Sequence, residues 1–218
     1  LFGGAELLEV KAKYGVLFDA TSDRKLLDRV FSRDLQLGIN LILPKLLVPF
    51  RIPDIGRNGM PHTTISSSMQ SFDQRSAFRS RVFINSITYD WVETKSKLHS
   101  YTPINIEFRK GVLDPVFRDS LLQRGFGLYV KTNDRQFFNL GSQYAFTYNA
   151  NRLDNYNNFL FFRGAVDFAG NSLGILDKLI KFKRDADGFR TIFGLPYQQY
   201  VKTELDVRYY RYLGGDKQ

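Results

Sequence analysis

Hydrophobic and polar side chains alternate along most of this chain with a period of two, the pattern of strands whose successive residues point to opposite sides. The clearest case is "YQQYVKTELDVRYYRYL" near the C-terminal end, where Tyr197, Val201, Thr203, Leu205, Val207, Tyr209 and Leu213 share one parity. Lys202, Glu204, Asp206 and Arg208 share the other. In "GSQYAFTYNANRLDNYNNFLFFRGAVDFAG" the alternation runs twice. Phe138, Leu140, Tyr144, Phe146 and Tyr148 precede a polar turn, and Leu160, Phe162, Val166 and Phe168 follow it. Asn139, Gln143, Thr147, Asn149, Arg163 and Asp167 occupy the opposite parity, and "NANRLDN" supplies Asn and Asp residues that suit a tight turn, so the spacing predicts a hairpin.

The N-terminal region repeats the pattern. Leu8, Val10, Ala12, Tyr14, Val16 and Phe18 alternate with Glu9, Lys11, Lys13 and Asp19, and Leu35, Leu37, Ile39, Leu41 and Leu43 alternate with Asp34, Gln36, Gly38 and Asn40. The middle is less regular. "HTTISSSMQSF" reads as a Ser/Thr-rich strand, and Ile104, Ile106 and Phe108 oppose Asn105, Glu107 and Arg109. "AFRSRVFINSITYDWV" begins with Phe78, Val82 and Ile84 on one parity and ends with Ile87, Tyr89 and Trp91 on the other, which predicts a bulge near Asn85 and Ser86. Asp114 to Gly127 and Asn171 to Phe182 break the alternation and read as short helical or irregular loop insertions.

Together these segments predict an all-β chain: one domain over residues 1–218, with about eight long strands in antiparallel up-and-down order. Strands of soluble proteins average about five or six residues, whereas a strand crossing an outer membrane needs about 9 to 11. The alternating runs reach the second length. With Tyr148, Tyr156, Tyr197 and Tyr209 near their ends, they fit a transmembrane β-barrel segment with aromatic girdles. Long soluble barrels such as lipocalins share the signature, because parity alone does not say which face is inside.

Composition supports the strands and limits the chemistry. The 218 residues include 20 Phe, 12 Tyr and one Trp, which favours strands. They include no Cys, which excludes a disulfide scaffold and a thiolate nucleophile. The net charge of +9 suits an anionic partner, yet the basic residues are scattered among acids, as on a solvated or channel-lining face. No signal peptide is visible and the first residue is Leu, so the chain reads as an internal piece of a longer precursor. Leu37 to Phe50, interrupted by Asn40, Pro44 and Lys45, falls short of the roughly 18 apolar residues of a spanning helix.

Motifs for catalysis are missing from the sequence. There is no GxSxG, Walker loop or GxGxxG, and His62 and His99 have no acidic neighbour at metal-ligand spacing. The reading is a protein that is not an enzyme, with no metal and no cofactor. The polar parity is assigned to a watery lumen: Gln143, Thr147, Arg163 and Asp167 on the hairpin, and Lys202, Glu204, Asp206 and Arg208 on the last strand, where pairs with neighbouring strands would fix register. The apolar parity is assigned to lipid: Tyr144, Phe146 and Tyr148, then Leu160, Phe162, Val166 and Phe168, then Val201, Leu205, Val207 and Tyr209. Trp91 is assigned to the membrane interface. Tyr and Trp beside Lys and Arg also suit base stacking in a soluble polyanion binder, the reading that the long strands disfavour.

Five segments, "LPKLLVPFRIP", "HSYTPINIEFRK", "YAFTYNANR", "NFLFFRGAVDFAGN" and "GLPYQQYVKTELDVRYYRYL", together resemble in order the barrel of BamA/TamA-superfamily outer-membrane proteins of the Bacteroidota type. The resemblance implies a barrel of sixteen strands preceded by POTRA domains, of which this chain holds about half the strands and no POTRA-like region. It also implies insertion or translocation of proteins at the bacterial outer membrane. The implied partners are outer-membrane lipid including lipopolysaccharide, client outer-membrane proteins and other assembly-machinery subunits, and no nucleic acid. A passive pore or transporter barrel fits the same strand pattern.

Overall fold

The computed structural model describes residues 5–19, 29–48, 59–149, 158–170, 183–184, 188, 190–192, 195–197 and 199–211. Its strands are β1 (Leu7–Phe18), β2 (Val30–Leu43), β3 (His62–Gln74), β4 (Phe78–Thr94) and β5 (Lys97–Leu113). Two helices follow, α1 (Pro115–Gln123) and α2 (Gly127–Asn133), then β6 (Gln136–Asn149) and β7 (Asn158–Ala169). The short β8 (Thr191–Ile192) and β9 (Leu195–Pro196) precede β10 (Tyr200–Arg211). Eight long strands form one antiparallel sheet in the order β1-β2-β3-β4-β5-β6-β7-β10, while β8 and β9 pair separately. The sheet is open, since β1 and β10 stand at its two ends and are not hydrogen-bonded to each other. The expected all-β, up-and-down architecture is therefore present, and closure into a barrel is not.

The long strands run from 12 residues in β1, β7 and β10 to 17 in β4 and β5. Tight connections join the longest: residues 75–77 turn β3 into β4, with Ser76 at a φ of 53°, and 95–96 turn β4 into β5. The irregularity expected near Asn85 and Ser86 lies elsewhere. β4 stays in continuous register with β3 from Phe78 to Asp90. It is β5 that carries one extra residue between Thr102 and Asn105, seen against both β4 and β6. Pro103 sits in that interval and has no N–H to give to a ladder, which makes it the place where a bulge costs least. Val82 and Ile84 thus keep to the polar side of β4, opposite Arg109 and Glu107.

The first predicted insertion is the helical pair. Asp114 caps α1 by accepting hydrogen bonds from the Val116 and Phe117 amides at 3.1 and 3.5 Å, Pro115 fills the first turn, and Gly125 at φ 83° follows its end. α2 then folds back on β5: the Gly111 amide donates to the Arg135 carbonyl at 2.8 Å, and the Leu113 amide donates to Asp134 at 3.1 Å. The second predicted insertion, Asn171 to Phe182, lies outside the described residues, as do Tyr156 and Leu213.

Burial is sparse and gathers at two places. Leu113, Val130, Phe137, Asn139, Ala169 and Tyr197 are buried where the helices and the residues before β10 meet β5 to β7, and Ala165 is buried in mid-strand between Ala145 and Glu204. At the opposite end, Leu43 and Thr63 are buried. Thr63 is 0% exposed because its hydroxyl donates to the Lys45 carbonyl at 2.7 Å and accepts from the Leu47 amide at 2.9 Å. The chain exposes 15787 Å², where a compact monomer of 25.3 kDa exposes about 10,000 Å².

A Cβ at Gly111 would fall 1.9 Å from the Asn133 carbonyl oxygen, whereas one at Gly127 would meet nothing within 4 Å. Gly111→Ala should therefore cost about 1–3 kcal/mol, read as a lower urea midpoint, with Gly127→Ala neutral or mildly stabilising. Equal tolerance at both glycines would remove the α2 contact from the packing of β5.

Candidate functional site

Directly opposed residues of antiparallel strands share a face, so the register assigns every side chain of the sheet to one of two sides. From β10 to β7 the pairs Val201–Phe168, Thr203–Val166, Val207–Phe162 and Tyr209–Leu160 lie on one side. From β7 to β6, Val166–Tyr144, Gly164–Phe146 and Phe162–Tyr148 continue it, and Leu205 joins opposite Gly164. All eleven residues of the predicted apolar parity therefore share a face. Through β5 and β4 that face carries Tyr101, Ile104 and Phe108, then Tyr89, Ile87 and Phe83. Through β3, β2 and β1 it carries Ile65 and Met69, Leu41 and Leu37, then Leu8 and Ala12.

This apolar face is uncovered. Leu205 is 76% exposed, Val10 67% and Ile39 50%, and Phe83, Met69, Ile104, Leu160 and Phe168 are exposed as well. An ordinary domain buries the apolar side of a sheet against a second layer. Here no helix or second sheet of the described residues lies over it, since α1 and α2 contact only each other and β5 to an appreciable extent and β9 meets β6 at its end.

The other face is polar, and the eight predicted polar residues all lie on it. Thr147, Arg163 and Asp206 align in one row, while Gln143, Asp167 and Lys202 align in another, with Ala145, Ala165 and Glu204 between them. The ion pairs on β10 run along the strand and not across it: Lys202 holds Glu204, and Arg208 holds Asp206 through two bonds of 2.9 and 2.7 Å. Exposed pairs of this kind are screened by solvent and add little to stability. Farther along, the face has rings that the sequence analysis left unassigned. Phe159 stacks on Tyr210 at 4.4 Å, Arg208 lies 5.5 Å over Phe161, and Arg109 and Arg135 lie 5.7 and 5.3 Å from the Phe137 ring. Their signal was available, since Phe159 and Phe161 share the parity of Arg163.

A second group missed by sequence spacing sits at the β4–β5 hairpin on the apolar side. Trp91, the expected interface residue, stacks on His99 at 4.9 Å with planes 2° apart. His99 bonds the Glu93 carboxylate through Nε2 at 3.0 Å and the Tyr144 hydroxyl through Nδ1 at 2.7 Å. When Nε2 donates to the carboxylate, Nδ1 of a neutral ring accepts the Tyr144 proton. His62 meets Asp90 at 3.2 Å on the polar side, so both histidines have acidic partners that only cross-strand pairing reveals. Among the described residues no three His, Cys, Asp or Glu side chains gather as a metal site. A cavity of about 410 Å³ beside this hairpin is lined by Met60, His62, Asp90, Gln143, Thr147 and Arg163 among others.

Comparison with protein-family models, with curated proteins and with solved structures finds no match for this chain. Among the described residues no helix is long and apolar enough to cross a membrane.

Tyr144→Phe removes the hydroxyl bound by His99 and should cost about 0.5–1.5 kcal/mol in urea unfolding. In a His99→Phe background the same change should cost nothing. An equal loss in both backgrounds would take this hydrogen bond out of the account.

Proposed function

We propose that this chain is part of the wall of a transmembrane β-barrel in a bacterial outer membrane, with the apolar face toward lipid and the polar face toward a watery lumen. The observation that carries the reading is the uncovered, predominantly apolar face, which runs across eight strands of at least 12 residues each and is interrupted at mid-strand by the opposed Ser67 and Asn85. That length exceeds the roughly 9 to 11 tilted residues needed to cross, and in lipid only closed pairing satisfies every backbone group. On this reading Val201, Leu205, Val207 and Tyr209 meet acyl chains as Tyr144, Phe146, Tyr148, Leu160, Phe162, Val166 and Phe168 do. Gln143, Thr147, Arg163 and Asp167 meet lumen water beside Lys202, Glu204, Asp206 and Arg208. The role is structural and mechanical, not enzymatic.

The more specific reading is a barrel of the BamA/TamA type that inserts or translocates client outer-membrane proteins. It is supported by the five resembling segments and by nothing in the site geometry, which serves a passive pore equally well. Liposomes containing the full-length protein separate the two. Faster insertion of an unfolded outer-membrane client favours the assembly factor, and ion conductance without insertion favours the pore.

Phe146→Arg or Phe162→Arg should impair membrane insertion far more than Gln143→Arg or Thr147→Arg. Charge on the lipid side costs about 2–4 kcal/mol at mid-depth and little in the lumen. Protease protection in vesicles reads the difference, and equal tolerance of the two sets would refute the assignment. Trp91, the single tryptophan of the chain, offers a second measurement. Its fluorescence should be quenched by lipids labelled near the head group and shielded from acrylamide. A chain that stays monomeric in plain buffer with Trp91 open to acrylamide would overturn the membrane reading and restore that of a soluble polyanion binder.

A further inference from the structure

The predominantly apolar face changes character toward the end of the sheet where β5 runs into α1. The register sets two adjacent rows there: Arg33, Asp73, Arg79 and Val112 in one, and Leu35, Ser71, Arg81, Lys110 and Gln136 in the next. The following row is apolar across five strands, with Leu37, Met69, Phe83, Phe108 and Phe138. Four cations thus border the apolar zone, and Arg33, Arg79, Arg81 and Lys110 are all exposed. The acid of these two rows is Asp73, which holds Arg79 at 3.2 Å. Arg33, Arg81 and Lys110 form no ion pair with another described residue.

At the opposite end of the β4–β5 hairpin the same face is balanced in charge. Glu93 holds both Lys97, at 3.2 Å, and His99, at 3.0 Å, and the Trp91 ring lies on that of His99. Arg81 and Trp91 belong to one strand and stand ten residues apart, with Phe83, Asn85, Ile87 and Tyr89 between them on this face. Ten strand residues span about 33 Å, and at a tilt of about 40° they rise about 25 Å. The apolar band of an outer-membrane barrel is about that tall. With Trp91 at one interface, Arg81 and its neighbours therefore reach the other.

We propose that Arg33, Arg79, Arg81 and Lys110 form a docking patch for the phosphate head groups of anionic lipid, an inference that rests on the reading of the apolar face as lipid-facing. A lipid brings its acyl chain to the row of Phe83 and Phe108 and its phosphate to the next row, about 7 Å farther along the strand. The apolar stems of Arg and Lys suit this boundary, since they cover hydrocarbon while the charged heads reach the phosphate level. Arg81 beside Lys110 offers a forked donor and a point charge to one head group. Lipid is the occupant and not a nucleic acid, because a polyanion on this patch would lie against the exposed rings and methyl groups of Phe83, Met69 and Leu37.

Fluorescence quenching by lipids with brominated acyl chains reads the patch. In the full-length protein, Trp91→Phe with Phe83→Trp moves the single tryptophan of this chain to the row beside Arg81 and Lys110. In phosphatidylcholine vesicles, brominated phosphatidylglycerol should then bind at the reporter about fivefold more tightly than brominated phosphatidylcholine, the attraction that one basic residue adds at an anionic surface. Arg81→Gln with Lys110→Gln should abolish the preference. Salt at about 1 M should shrink it without any change in the patch, so the result does not depend on the folding of that variant. With Trp91 in its native place, beside balanced charges, the two lipids should quench alike. Equal quenching by both lipids at the moved reporter would overturn the patch and leave the membrane reading standing. Quenching by neither would overturn both. Binding of a labelled single-stranded oligonucleotide in plain buffer, lost with Arg81→Gln and Lys110→Gln, would overturn lipid as the occupant and give these cations to a soluble polyanion.

Discussion

Everything in this molecule turns on where one apolar surface can go. A β-strand with a period of two presents two faces, and when eight such strands pair in register their faces merge into two continuous surfaces. A soluble domain resolves the apolar one by laying a second layer over it. Here the two helices sit at the end of β5, β8 and β9 are two residues each, and the side chains of Val10, Ile39, Phe83 and Leu205 face outward with none of the described residues above them. The strand lengths, the continuous polar face and the concentration of burial at the ends of the sheet are all consistent with a surrounding medium taking the place of the missing layer.

The faces were legible in the sequence wherever a strand keeps a single phase. β6, β7 and β10 do so, and each residue assigned to a side there shares that side in the register. β4 is where the reading went astray, for a definite reason. Val82 and Ile84 are apolar residues on the polar face, and counting them as phase-setters forces a bulge into a strand that is regular against β3. The actual extra residue lies beside Pro103 in β5, where the apolar run Ile104, Ile106 and Phe108 continues undisturbed and conceals it. Pairings between distant residues were beyond reach for a different reason. Glu93, His99 and Tyr144 come together only because the β4–β5 turn is two residues long and β6 lies next to β5 in a fixed register, neither of which spacing along the chain reveals.

The polar face is more than the complement of the apolar one. Its rows place Arg163 between Thr147 and Asp206 and place Asp167 between Gln143 and Lys202, so charges on neighbouring strands stand near groups that can bind them. Small residues, Ala145 and Ala165, separate the rows. Phe159, Phe161 and Tyr210 then give the end of this face an aromatic character that a purely hydrated wall does not need, and the stacking of Phe159 on Tyr210 ties β10 to β7 where the long connection between them has already ended.

The connection lengths also suggest an order of assembly. β3, β4 and β5 form a meander joined by turns of three and two residues, so their contacts close short loops, and loop closure is what slows the pairing of distant strands. The same three strands include the two longest of the sheet. The outer strands depend on longer excursions, 18 residues between β2 and β3 and 30 between β7 and β10. A chain built this way would fold from its middle outward, with β1 and β10 the last to be held in place. The strands at the two ends of this sheet are therefore the ones that stay unpaired longest while it forms.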